Sequence, residues 1–332
     1  MICPIEKSNT QCRVCGNRNG NQNYIAKEMM FGSQSRFTYF QCSVCGCIQI
    51  AKTPTDIAKY YPLNYYSFSK TPTKSTVSRL KSLIEQILRQ KRLSYAIFRR
   101  GVFGKLCFIL FPGYADSSLS ILNMKEDSRI LDVGCGSGVL LYTLMEIGFK
   151  NLLGIDLFIE KDVSYPNGLR IEKKPLEELT GDWDLIMFNH SLEHMPNQQI
   201  ALELVSSLLS PSGVCVINMP TVSSYAWRTY GTNWVQLDAP RHTLLHSITS
   251  LRMLAEKTHL QLRSVFYNST AFQFWGSKRY IRGLPLNSTG HHTENPILGV
   301  FSILQTLRFS KKVRYFNLTG QGDQAAFYLR KK

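Results

Sequence analysis

The chain of 332 residues has no run of the roughly 18 consecutive apolar residues that a membrane span requires. Its opening, MICPIEKSNTQC, has no apolar core of signal-peptide length. Both absences predict a cytoplasmic protein. No internal repeat or long low-complexity run is present, which excludes solenoids and fibrous classes. Acidic residues are in short supply: 23 Asp+Glu face 39 Lys+Arg, a formal net charge of +16. That excess points to an anionic partner, whether nucleic acid, a phosphate-bearing metabolite or an acidic membrane surface. With 44% hydrophobic and 19% charged residues, the composition is otherwise that of an ordinary globular protein.

Cysteine is unevenly spread, five of the nine falling between Cys12 and Cys47. In a reducing compartment such clustering favours a metal over disulfides. CRVCG and CSVCG place Cys12 with Cys15 and Cys42 with Cys45 as two C-x-x-C-G knuckles, each with a glycine to relieve the turn. The four thiolates together complete a tetrahedral zinc site with no open position, and the expected role is therefore structural. Cys47 and Cys3 are spare. Between the pairs, YIAKEMMF and RFTYFQC read as a hairpin.

Beyond this module lies a connector rich in Tyr, Pro, Ser and Thr, whose Tyr60, Tyr61, Tyr65 and Tyr66 either stack on a substrate ring, with Tyr65 the candidate contact, or pack the module onto the core. Leu80, Leu83, Ile84, Ile87 and Leu88 then recur at helical spacing with basic residues on other faces, which predicts an amphipathic helix over 80–98. Lys70 to Lys105 holds ten basic residues against Glu85 alone, +9 of the total. Residues 79–111 are therefore a candidate for peripheral contact with an anionic membrane, against the plainer reading of a solvated helix face.

From Ser128 onward strands and helices alternate: RILDV, VLLYTLMEIG, NLLGID, GLRIEK, DWDLIMF, NQQIALELVSSLL, GVCVINMP, QLRSVFY and DQAAFYLR. Such alternation predicts crossover helices over a mostly parallel sheet. The first strand runs into ILDVGCGSGVLL, with Asp132 ahead of Gly134, Gly136 and Gly138. This is not the dinucleotide pattern G-x-G-x-x-G, because Val139 stands where its third glycine would fall. A buried aspartate repels a pyrophosphate but attracts an ammonium and a sulfonium. S-adenosylmethionine carries both cations. Asp156, ending the second strand in GIDLF with Leu157 after it, is placed to accept hydrogen bonds from ribose hydroxyls.

On these residues, 128–332 resembles the class I S-adenosylmethionine-dependent methyltransferases, most specifically at ILDVGCGSG, GID and DLIMFNHSLEHMP. The segment GTNWVQLDAPRHTLLHS is similar to a W…D-x-P-R-H stretch in a subgroup found in bacterial surface-polysaccharide and modified-sugar pathways. The resemblance implies an α/β, Rossmann-like domain with a seven-stranded, mostly parallel sheet, preceded by a small zinc-ribbon-like module. The implied boundaries are 1–52 for the zinc module, 53–125 for the connector and basic helices, and 126–332 for the domain binding S-adenosylmethionine.

NHSLEHMPN contains H-x-x-E-H, the pattern of an inverted zinc peptidase. A peptidase needs both histidines in one continuous helix, yet a strand precedes them and Pro196 follows. In the resembled family this loop lies beside the methyl donor, and Asn189 occupies the position that touches its methionine part. Deprotonation of a hydroxyl acceptor calls for a base near neutral pH, with His242 as first candidate and His190 as second. Arg241 can hold a phosphate or carboxylate of the acceptor, or else pair with Asp238. EKKPLEEL lacks the acid that many relatives set against adenine, which leaves backbone around Pro175 and Leu176 for that contact. The expected acceptor is a small molecule: a sugar, or a nucleotide- or lipid-linked sugar carrying phosphate. The alternatives are a quinone-type O-methyltransferase and an RNA methyltransferase. Nucleic acid is disfavoured, because the cations lack interleaved aromatic residues.

Overall fold

Valine, isoleucine and leucine crowd the sequence runs that become the central strands, as expected where both faces of a sheet are covered. The computed structural model describes residues 7–8, 10–61, 79–110, 118–287 and 308–332. The chain divides into two compact units, one of 1–60, 193–199 and 219–326 and the other of 61–192, 200–218 and 327–332.

The first unit carries a five-stranded sheet in the order β1-β2-β3-β4-β11. Its strands are β1 (Lys7–Ser8), β2 (Asn21–Lys27), β3 (Arg36–Gln41), β4 (Ile48–Ile50) and β11 (Leu244–Leu245). The expected hairpin is there, β2 running antiparallel to β3 from Gln22↔Gln41 to Lys27↔Arg36. Tyr24, Tyr39, Ile48, Trp227, Trp234 and Leu245 share one buried cluster.

The boundary drawn at residue 52 therefore needs correcting. β4 pairs with β11 through Ile48↔Leu245, and the cysteine segment completes its sheet and core with residues from far along the chain. A segment so short buries too little apolar surface to stand alone.

In the second unit α1 (Arg79–Phe98) and α2 (Val102–Leu110) precede β5 (Arg129–Val133). There follow α3 (Val139–Glu146), β6 (Asn151–Ile155), β7 (Val163–Ser164), β8 (Arg170–Glu172) and β9 (Trp183–Asn189). Of the later elements, α4 (Gln198–Leu208), β10 (Leu209–Pro220) and β13 (Gln324–Lys331) fall mostly in this unit, whereas α5 (Tyr225–Tyr230), α6 (Ile248–Lys257), β12 (Leu260–Tyr267) and α7 (Phe272–Ile281) belong to the first. The large sheet has the order β12-β13-β10-β9-β5-β6-β8-β7. β5 lies parallel to both β6 and β9, β8 parallel to β6, and β10 parallel to β9.

Eight strands stand where seven were expected. The addition is β7, a two-residue strand antiparallel to β8 through Val163↔Ile171. It was invisible in the sequence because two residues show no alternation. α4 ends at Leu208, ahead of Pro211, and β10 begins at once, with a register shift between Leu209 and Val214 that takes in the proline.

Candidate functional site

The parallel strands β5, β6 and β9 deliver their carboxyl ends to one edge, where open α/β sheets bind ligands. Asp132, on β5, is only 2% exposed. Asn189 Nδ2 donates to Asp132 Oδ1 at 3.1 Å, and Asn218 Nδ2 donates to Asn189 Oδ1 at 2.7 Å. Burial pushes the Asp132 carboxyl up to about 7; the Asn189 hydrogen bond opposes this, and Asp156 adds to it. A carboxyl so placed gains most from a cation, which fits the ammonium of S-adenosylmethionine.

Gly134 has φ +73°, and a Cβ there would stand 2.5 Å from Ser191 Cβ. Ser191 in turn donates to the Val133 carbonyl at 2.6 Å, which ties the loop after β9 to the glycine turn. Gly138, at φ +70°, leaves no room for a Cβ beside Ile171. Gly136, at φ +56°, donates its N–H to Asp156 Oδ2 at 2.8 Å, while Phe158 N–H reaches Asp156 Oδ1 at 2.8 Å. Those two bonds fix the Asp156 carboxylate and leave further lone pairs for ribose hydroxyls. Leu157 is 54% exposed beside it. Tyr61 stacks on Phe158 with centroids 6.1 Å apart. Leu176, proposed for adenine, is buried at the start of a 3-10 turn.

His190 follows Asn189 in the left-handed region at φ +54°, its N–H donating to the Asn218 carbonyl at 2.9 Å. His242 lies in the other unit, where the structure brings it together with His194 and Glu193. The rings of His194 and His242 meet edge to face at 4.7 Å. His242 Nδ1 is 2.8 Å from the Gln236 carbonyl and His194 Nδ1 is 3.1 Å from the Arg241 carbonyl. A carbonyl only accepts, so in each ring Nδ1 carries a proton. His242 Nε2 is 4.0 Å from Glu193 Oε1 and 4.0 Å from Asp238 Oδ2. Burial, then the neighbouring His242, depresses His194 to about 4, which keeps it neutral. The ligand-type atoms of Glu193, His194 and His242 all lie within 4.8 Å of one another, close enough to hold a cation.

Arg241 does not face a substrate. It is 0% exposed; Nε and Nη2 donate to Asp238, Nη2 also to Glu28 Oε1 at 3.0 Å, and Nη1 to the Tyr60 carbonyl at 3.1 Å. With its fork spent on internal acceptors it is a structural staple, and the substrate-binding expectation is corrected. Tyr65 lies outside the described residues. Asn218 and Ser191 were missed in the sequence, though Asn218 had a signal: in INMP, as in IMFN, an asparagine lies near the carboxyl end of a strand.

The cysteine knuckles are near copies. Gly16 N–H donates to the Cys12 carbonyl and Gly46 N–H to the Cys42 carbonyl, both at 2.9 Å, with glycine φ values of +78° and +73°. Sγ of Cys12 and Cys45 are 3.6 Å apart, and those of Cys15 and Cys42 are 3.5 Å apart. All four sulfurs lie within 4.8 Å of one another. A tetrahedral ion with metal–sulfur bonds near 2.3 Å separates its sulfurs by about 3.8 Å, which this set fits. Cys47 also approaches, 3.3 Å from Cys45, with Gln49 Nε2 donating to its sulfur at 3.0 Å. Ser247 Oγ and Lys257 Nζ donate to the Cys45 and Val14 carbonyls, anchoring each knuckle to later chain.

Parallel strands, a buried acid and a glycine turn define a cofactor-binding Rossmann-like domain. Residues 110–265, a little under half of the chain, match the family described as "Methyltransferase domain". The chain is an S-adenosylmethionine-dependent methyltransferase.

Its relatives narrow the comparison. It is 27% identical over 183 residues to the ubiquinone biosynthesis O-methyltransferase of Psychrobacter cryohalolentis, covering 48% of this chain and 71% of that protein. Against the mitochondrial ubiquinone biosynthesis O-methyltransferase of Saccharomyces cerevisiae it is 30% identical over 151 residues, 40% of this chain and 48% of that one. Among solved structures, the cyclopropane synthase MmaA2 of Mycobacterium tuberculosis matches loosely, with TM-score 0.42 and 14% identity, over 77% of this chain and 100% of that one.

Proposed function

We propose that the chain methylates a hydroxyl oxygen of a small lipophilic acceptor of the phenol or quinol type. The names of its relatives support this reading over the sugar acceptor expected from the W…D-x-P-R-H segment. The observation that carries the methyltransferase chemistry is the buried Asp132, joined to Asn189 and Asn218 and raised by its burial.

S-adenosylmethionine, when bound, supplies an electrophilic methyl group. Asp132 would neutralise its ammonium, the glycine turn would let backbone approach, and Asp156 would accept from its ribose hydroxyls. His242 would serve as a base through Nε2, with Glu193 Oε1 and Asp238 Oδ2 each 4.0 Å away to stabilise its charged form. The four cysteines hold a structural Zn2+ that closes the knuckles without entering the chemistry.

Incubation with labelled methyl donor and a panel of catechols and quinols, nucleotide-sugars, lipid-linked sugars and RNA tests the acceptor. Label is expected on the phenolic compounds. Methylation of a sugar or RNA in preference to them overturns the reading. Metal analysis of the purified chain is expected to give one zinc, lost in Cys12→Ser/Cys42→Ser.

A further inference from the structure

The face that α2 turns outward is unlike that of a solvated helix. Gly104 packs so closely on α1 that a Cβ would stand 2.5 Å from the Lys91 carbonyl oxygen and 3.0 Å from Tyr95 Cβ. Cys107 is buried, and Phe108 meets Tyr95 at 5.8 Å. This contact fixes the rotation of α2. The remaining large side chains, Val102 at 88%, Phe103 at 53%, Leu106 at 51%, Ile109 at 62% and Leu110 at 59%, are exposed. On a helical projection they fill one continuous arc, with Lys105 at its edge. On α1, Ile84 and Ile87, one turn apart, are exposed as well.

We propose that α1 and α2 form a docking surface for an anionic lipid bilayer, with the apolar arc of α2 seated among the acyl chains and the cations around it meeting the headgroups. From 87 to 110 there are six cations (Arg89, Lys91, Arg92, Arg99, Arg100 and Lys105) and no carboxylate. Glu126 pairs with Arg100 at 2.5 Å, and Arg89 and Arg92 also interact with other groups of the chain. A second copy of the chain would set these cations against their own duplicates. Among the described residues of α1 and α2, RNA would find one exposed aromatic ring, Phe103, among aliphatic side chains, a poor stacking platform. An acidic membrane satisfies both features at once. Nine residues of helix are too short to cross it, so α2 lies in the interface plane. This inference is independent of the acceptor's identity.

The test is co-sedimentation of the full chain with vesicles of phosphatidylcholine alone or mixed with phosphatidylglycerol. Binding is expected only to the mixed vesicles, weakening as salt rises. Leu106→Asp/Ile109→Asp, at exposed positions, is expected to lower partitioning by about tenfold or more while S-adenosylmethionine binding stays unchanged. Arg99→Glu/Lys105→Glu is expected to do the same through charge. The proposal fails if the chain ignores the mixed vesicles, if Leu106→Asp/Ile109→Asp binds them as tightly as before, or if that pair instead converts a dimer to a monomer in light scattering.

Discussion

Two buried aspartates in this protein are treated in opposite ways. Asp132 and Asp238 are 2% and 7% exposed, and burial raises both. For Asp238 the charge and hydrogen bonds of Arg241 overcome that rise and hold the carboxyl below its ordinary value. For Asp132 only an asparagine amide opposes it, and the carboxyl is pushed up to about 7. A carboxylate whose cation is built into the chain holds the fold together. Under the proposed function, Asp132 is a carboxylate whose cation arrives with the cofactor, kept at a cost in stability.

The largest effect expected from breaking this contrast is on the paired side. Arg241→Ala strands Asp238 and Glu28 in the interior and should cost about 3 to 5 kcal/mol, read as a fall in denaturation midpoint. An unchanged midpoint would remove the staple from the account.

Asp132→Asn should act in the reverse sense. S-adenosylmethionine affinity in calorimetry should fall about a hundredfold, roughly 3 kcal/mol. The cofactor-free protein should become more stable above pH 7. The folded carboxyl binds its proton more tightly than the unfolded one, so ionising Asp132 penalises the folded state, increasingly as pH rises from about 4 towards 7. The variant's gain should therefore vanish near pH 4. A gain independent of pH would show that the buried charge is not its source.

Glu28 and Asp238, both depressed, contribute stability that is present above their unfolded values near 4 and lost as pH falls through the lower folded ones. Gly134→Ala should cost about 1 to 3 kcal/mol, since its Cβ meets Ser191 in a left-handed turn. The least costly test needs no variant: cofactor affinity should weaken by up to about tenfold per unit as pH falls below 7, where Asp132 takes up its proton. A flat profile from pH 5 to 7 would detach Asp132 from the ammonium.

The glycine turn, the alternating strands and the cysteine knuckles were legible because each depends on local spacing. ILDVGCGSG needs its glycines for positive φ, and C-x-x-C-G needs its own for the same reason. Arg241 was not legible in this way. The sequence offered both a substrate clamp and a partner for Asp238. Deciding between them took Glu28, 213 residues away, and the Tyr60 carbonyl, 181 away.

Residue order alone determined the Rossmann-like core, the cationic cofactor and the paired thiolates, since turns, caps and period-two strands are decided within a few residues. Tertiary structure decided which buried acid has a partner, that the cysteine segment shares its sheet with Leu244–Leu245, and that His242 meets Glu193 and His194. Those outcomes depend on which distant groups burial leaves together, and desolvation acts only once the chain has folded.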